Sequence, residues 1–285
     1  MGLRRGQGRQ NCAKVVRPEI SKDQSQSRTW GAVVMTHPIG IEIEDESKDF
    51  FIGADWEARA ETPEALAARF LRMIDSLKEI DPVFSLWTCG TQRPENLEEA
   101  RDRYAAEIAA GIMRDDWKEP IPEMGYLFGA FTRNTPEARA FDVTCRAGSY
   151  VKEVFGNSVT LSTDVEIGSR PDADVVSHRI FRAALLAVVD AWDPVMANAT
   201  SHPLVEATES DSYFAPAWIQ YLCPWLAEKI TPPSTVLAER LPNGGLLMSA
   251  TTETFDVDNP AHMAAARDMA KAMAPLDRLP WPSKG

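Results

Sequence analysis

Four histidines and four cysteines among 285 residues leave this chain little material for a metal centre or a redox site. Cys12, Cys89, Cys145 and Cys223 are too scattered for a Cys-x-x-Cys motif, which predicts reduced thiols, the last three in core or strand positions. His37, His178, His202 and His262 never stand four apart, the spacing that aims two rings of one helix at one metal. The longest apolar run, Ala183–Val189, falls far short of the roughly 20 residues a bilayer-spanning helix needs. Polar residues follow Arg4-Arg5 where an export signal would turn apolar. Gly-rich phosphate loops, His-Glu-x-x-His, Gly-x-Ser-x-Gly and the calcium-loop pattern are all missing. Together these absences predict a cytoplasmic protein with no cofactor, no metal and no membrane partner.

Charge, in contrast, is plentiful and uneven. Residues 1–34 carry seven bases against two acids, a balance of +5, so the formal −12 of the chain leaves −17 for residues 35–285. A body that acidic repels nucleic-acid phosphates and attracts basic partners. Acidity that only keeps the protein soluble is the plainer explanation. Residues 1–34 read as a basic leader, disordered over 1–28 for want of apolar periodicity; a start codon assigned upstream of Met35 would give the same pattern.

Residues 35–285 read as one α+β domain with a largely antiparallel or mixed sheet and about four helices. Phe50–Glu57 is an aromatic-rich strand. Thr62-Pro63-Glu64 starts a helix whose apolar face is Leu66, Phe70, Met73, Ile74 and Leu77, and Asp81-Pro82 stops it. A second helix is expected from Glu95 to Met113, with a Glu99–Arg103 pair on its solvated side. Tyr126–Thr132, Phe141–Tyr150 and Ser158–Thr163 read as strands, and Val175–Trp192 as the strongest helix. Trp192-Asp193-Pro194-Val195-Met196 echoes Ile80-Asp81-Pro82-Val83-Phe84, so the body has either two similar halves or two unrelated Asp-Pro helix stops. Ala217–Cys223 suits a strand because Pro224 breaks any helical stripe there, and Pro242-Asn243-Gly244-Gly245 marks a hairpin.

Chemistry is harder to find. Glu46-Ser47-Lys48 and Asp116-Trp117-Lys118 match the acid-x-Lys half of a metal-dependent nuclease site, but neither follows a strand bearing a first acidic ligand. A carboxylate pair facing across a cleft, as in a hydrolase, is not singled out among 42 acidic residues. The acidic run Asp256-Val257-Asp258-Asn259 is accounted for by a helix start: Asp258 or Asn259 caps it and Pro260 takes its first position. No catalytic residue emerges.

Order and spacing of several short runs resemble the immunity protein 52 family. They are Gly244–Thr251 followed by Phe255–Pro260, then Trp218–Leu222, Ala191–Pro194, Ile52–Trp56 and Ile80–Phe84, covering roughly residues 50–275. The resemblance implies a bacterial immunity protein of a polymorphic toxin system, encoded beside a toxin and protecting its producer by binding it. Toxins paired with this family often look like restriction-endonuclease-fold nucleases, so the expected partner is a basic nuclease domain rather than nucleic acid itself. A non-enzymatic binder is therefore expected; an uncharacterised hydrolase with a cryptic carboxylate pair is the alternative. For the contact surface, Glu206, Glu209, Asp211 and Tyr213 are the candidates, because residues 205–214 set carboxylates beside aromatics in a surface connection.

Overall fold

The computed structural model describes residues 50–90, 94–132, 140–151, 156–164, 175–208 and 212–279. The leader, Cys12, His37 and the Glu46-Ser47-Lys48 triplet lie outside the described residues. Strand β1 (Phe50–Trp56) alternates strictly, burying Phe50, Ile52, Ala54 and Trp56 on one side. Thr62 then caps α1 (Pro63–Lys78), its side chain accepting from the Ala65 N–H at 3.3 Å, and the predicted stripe from Leu66 to Leu77 is buried. Asp81 caps a 3₁₀ turn, Pro82–Phe84, which leads into β2 (Trp87–Cys89).

The helix expected over 95–113 is instead in pieces. Glu95 and Asn96 form β3 (Glu95–Asn96) by pairing with Cys89 and Thr88, and this ladder takes the first residues away from the helix. Asn96 then caps α2 (Leu97–Ala100), a 3₁₀ turn over Arg101–Arg103 follows, and α3 (Tyr104–Ala110) ends at Gly111. Leu97, Tyr104 and Ile108 are buried all the same. Arg103 pairs with the Glu95 carboxylate and donates to the Glu99 carbonyl at 3.1 Å, replacing the expected Glu99–Arg103 side-chain pair.

Three strands follow as a meander: β4 (Tyr126–Thr132), β5 (Ala140–Ala147) and β6 (Asn157–Asp164). Ser177 caps α4 (His178–Trp192), accepting from the Ile180 N–H at 3.4 Å. At its far end the carbonyls of Asp190, Ala191 and Trp192 accept from Arg72, Arg69 and Arg59, cations placed where the helix dipole favours them. Glu61 accepts from both Arg59 and Arg69, at 2.8 and 2.6 Å, so α1 and α4 are held together by one cluster.

The chain continues through β7 (Met196–Ser201), α5 (His202–Glu206), β8 (Ile219–Leu222), α6 (Pro224–Ala227) with Pro224 at its start, and the hairpin of β9 (Leu237–Arg240) and β10 (Leu246–Ser249). Of the two turn glycines only Gly244 takes a positive φ, +85°. Last comes α7 (Pro260–Met273), whose N-cap is Asn259, accepting from the Ala261 N–H at 2.9 Å.

All ten strands join one sheet in the order β3-β2-β4-β5-β6-β1-β7-β8-β10-β9, every described pairing antiparallel. The fold is thus α+β. Because neighbours alternate in direction, β6 and β7 run parallel on either side of β1, joined by α4. In the same way β1 and β2 run parallel, joined by α1 across three intervening strands. The two Asp-Pro steps that suggested similar halves differ locally: Asp81 is extended and caps the next turn, whereas Asp193 ends α4 in the left-handed region at φ +49°. The strands they introduce also differ in place, β2 near an edge and β7 beside the central β1. At the core Trp56 stacks on Trp192 at 5.1 Å, and the Trp192 indole donates to the Met73 sulfur at 3.2 Å. Cys89, Cys145 and Cys223 are free and buried, as expected.

Candidate partner-binding surface

Pleating sorts each strand of the meander onto two faces, and the pairing registers line those residues up across the sheet. Toward α1 and α4 point Phe128, Val143, Leu161 and Ile52, all buried. Away from them, one cross-strand row reads Gly129, Thr144, Thr160, Gly53 and Asn198. A second reads Leu127, Arg146, Ser158 and Asp55, and a third Phe131, Asp142, Ser162 and Phe51. Thr144, Thr160 and Leu127 are exposed and the rest half-buried, so four adjacent strands present a mixed face, small and polar along its central row with Phe51 and Phe131 in one flanking row and Leu127 and Arg146 in the other. Beyond β1 that face closes over, since β8 and β10 are buried at every position.

Two charges on this face lack partners among the described residues. Arg146 makes no hydrogen bond or ion pair there, and its Nε is buried. Asp55 is crowded by neighbours that push its carboxyl up to about 6, with no cation close enough to reverse the effect. Asp142, by contrast, accepts from the Ser162 hydroxyl. A hydrolase with a carboxylate pair would need a second acid beside Asp55. Its cross-strand neighbours on this face are Ser158 and Met196.

The segment singled out in the sequence is divided by the structure. Glu206 is the exposed last residue of α5 rather than part of a loop. Tyr213 is 47% exposed, whereas Phe214 is buried in the core. Ser212 ties the segment down, donating to Asp277 at 2.6 Å and accepting from the Phe214 N–H at 2.9 Å. Glu209 and Asp211 lie outside the described residues.

A third feature is a cleft of about 240 Å³ between the start of α4 and the β9–β10 hairpin, lined by His178, Arg182, Leu237, Glu239, Leu247 and Ser249. His178 Nε2 lies 3.0 Å from the Ser249 hydroxyl, which is the reach of a base from a nucleophile. The surroundings oppose that chemistry. Burial, and then the Arg182 charge, hold the His178 pKa below its usual value, so the imidazolium a general base must form is disfavoured. Arg182 is itself paired with Glu239. The acidic run at 256–259 is structural: Asp256 accepts from the Asp258 N–H at 3.0 Å, and its own N–H donates to His262 Nδ1 at 3.2 Å. Among the described residues no three His, Cys, Asp or Glu side chains converge as a metal site requires, and no helix is long and apolar enough to cross a membrane.

Asp116-Trp117-Lys118, the nuclease-like triplet, forms an exposed turn between α3 and β4 in which Trp117 is 81% exposed. Sequence reasoning missed both this turn and the open face. Strand alternation was readable, but the registers that add β1 to the face join residues more than 100 positions apart.

A sequence model described as immunity protein 52 matches residues 48–277. No curated protein matches the chain. Among solved structures, a Pseudomonas aeruginosa T6SS protein, PA0821, aligns over 79% of this chain and 73% of its own. With 11% identity and a TM-score of 0.43, it is too distant to bear on function.

Proposed function

The chain belongs to the immunity protein 52 family, and from that premise we propose that it is a non-enzymatic binder that neutralises a cognate bacterial toxin. The carrying observation is the breadth of the family match, which takes in every strand and helix from β1 to α7. The site geometry agrees in kind: the His178–Ser249 pair is held by burial, and by the Arg182 charge beside it, in a setting that disfavours the imidazolium a general base must form.

The finer reading is that the toxin is a basic nuclease domain met in the cytoplasm, where its nucleic-acid substrate lies. Support comes from the charge of −12, which raises the association rate with a basic protein. Neutralising a lethal enzyme calls for nanomolar affinity, about −12 kcal/mol. Glu206, Glu209, Asp211 and Tyr213 are proposed contributors on the acidic side of that contact. Co-expression with the toxin encoded beside it tests the reading. Growth is expected to be restored and the two chains to co-purify as a stoichiometric complex. Killing that continues despite soluble, folded protein would overturn it.

A further inference from the structure

Six tryptophans lie among the described residues, and one of them is treated unlike the rest. Trp56, Trp87, Trp192 and Trp218 are buried and Trp225 is partly so, whereas Trp117 is 81% exposed. Its backbone is nevertheless held tightly. The Asp115 carboxylate accepts from the N–H groups of Trp117 and Glu119 at 2.9 and 2.8 Å. Asp115 N–H donates to the Glu119 carbonyl at 2.9 Å, Lys118 N–H to the Asp115 carbonyl at 3.0 Å, and the Arg114 guanidinium to the Lys118 carbonyl at 2.8 Å. Lys118 accepts a left-handed φ of +68° to close the turn.

The turn is also anchored to the sheet. Met113 N–H donates to Gly125 at 2.9 Å and Ile121 N–H to Met113 at 2.8 Å, so the two arms of the excursion pair with each other and with the start of β4. Gly125 has φ +73°, and a Cβ there would lie 2.4 Å from the Ala147 carbonyl oxygen, so only glycine fits. Two more large exposed apolar side chains belong to this hydrogen-bonded unit: Leu127, 50% exposed, donates its N–H to Gly111, and Tyr150, 48% exposed, donates to Glu123. Leu127 also lies on the open sheet face, opposite Arg146.

The geometry points to this corner, and to Trp117 on its turn, as the anchor by which the protein holds a basic toxin domain; the inference rests on the toxin-binding reading above. An exposed indole adds nothing to the fold, but one carried on a turn whose backbone is already fixed binds without the entropy loss of ordering that backbone. Tryptophan is also the residue type most often found to dominate binding energy when it fills a partner's pocket. The sign of the partner follows from the excursion that carries Trp117. Residues 112–125 carry four acids against two bases, a net of −2, and Asp116, Glu119 and Glu123 form no ion pair among the described residues.

The test compares wild type with Trp117→Ala and with Asp116→Lys/Glu119→Lys in binding the neighbouring-gene toxin. Trp117→Ala is expected to weaken binding about 100-fold or more while the melting temperature holds, since the indole touches little of the core. The charge variant is expected to associate more slowly and with a shallower salt dependence. Trp117→Ala binding within about threefold of wild type, with wild type binding tightly, would overturn this inference alone. Wild type that fails to bind at all would overturn the toxin-binding reading and this anchor with it. Wild type that dimerises alone, and loses the dimer in Trp117→Ala, would make a second copy the occupant and also overturn it.

Discussion

Four strands, β4, β5, β6 and β1, show two opposite surfaces. Toward the helices they present Phe128, Val143, Leu161 and Ile52, and toward solvent Gly129, Thr144, Thr160 and Gly53. The covered face is where the fold is held: aromatic stacks, a sulfur-bonded indole and the α1–α4 arginine cluster all lie there. Along its central row the open face carries Gly129, Thr144, Thr160 and Gly53, which add little apolar burial.

The sharpest way to separate the faces is Trp192→Ala. It removes a fully buried ring stacked on Trp56 and is expected to cost about 3–5 kcal/mol in urea denaturation. An effect near that of a surface substitution would mean the covered face is not the core.

The open face should not be uniformly tolerant. A Cβ on Gly129 would lie 2.2 Å from the Val143 carbonyl oxygen, whereas one on Gly53 meets only the Asn198 side chain at 3.6 Å. Gly129→Ala is expected to cost about 1–3 kcal/mol, as overpacking does, and Gly53→Ala to be near neutral. Equal effects in a thermal melt would break this distinction within the face.

Asp55 gives the face a pH signature. Its folded pKa of about 6 lies above the roughly 3.9 of an unfolded aspartate, so the folded state binds the proton more tightly. Between about pH 6 and 4 this residue therefore adds stability as pH falls, and above pH 6 its charge is a net cost to the fold. Asp55→Asn is expected to stabilise the protein at pH 8 by about 1–2 kcal/mol, discounted for partial exposure, with the gain shrinking toward pH 4. A gain that stays constant across that range, or a loss at pH 8, would contradict the assignment. Smallest of all, Thr144→Ala and Thr160→Ala are each expected to shift stability by less than about 0.5 kcal/mol.

Much of the covered face was legible in the sequence. Thr62 with Pro63, and the stripe to Leu77, announce α1 because capping and 3.6-residue spacing are local. Asn259 with Pro260 announces α7 for the same reason, and it settles the acidic run as a helix start. The helix expected from Glu95 failed where a short-range pairing back to Thr88 and Cys89 captured Glu95 and Asn96, a ladder that helical spacing and propensity do not register. The contact surface was least legible. Residues 205–214 looked like one aromatic and acidic loop, but Phe214 turned inward while Tyr213 stayed out. Trp117 looked like part of a triplet with catalytic overtones, and only the folded turn shows it displayed to solvent.

Under the proposed function the protein blocks a toxin by occupying it rather than by altering it. Titrating the purified protein into a fixed concentration of the neighbouring-gene toxin tests this most directly. Toxin activity is expected to fall linearly, reach its floor at a fixed stoichiometric equivalence, and stay constant with time at every ratio. Loss of activity at substoichiometric protein that deepens with time would reveal turnover and contradict the account, as would undiminished activity at excess.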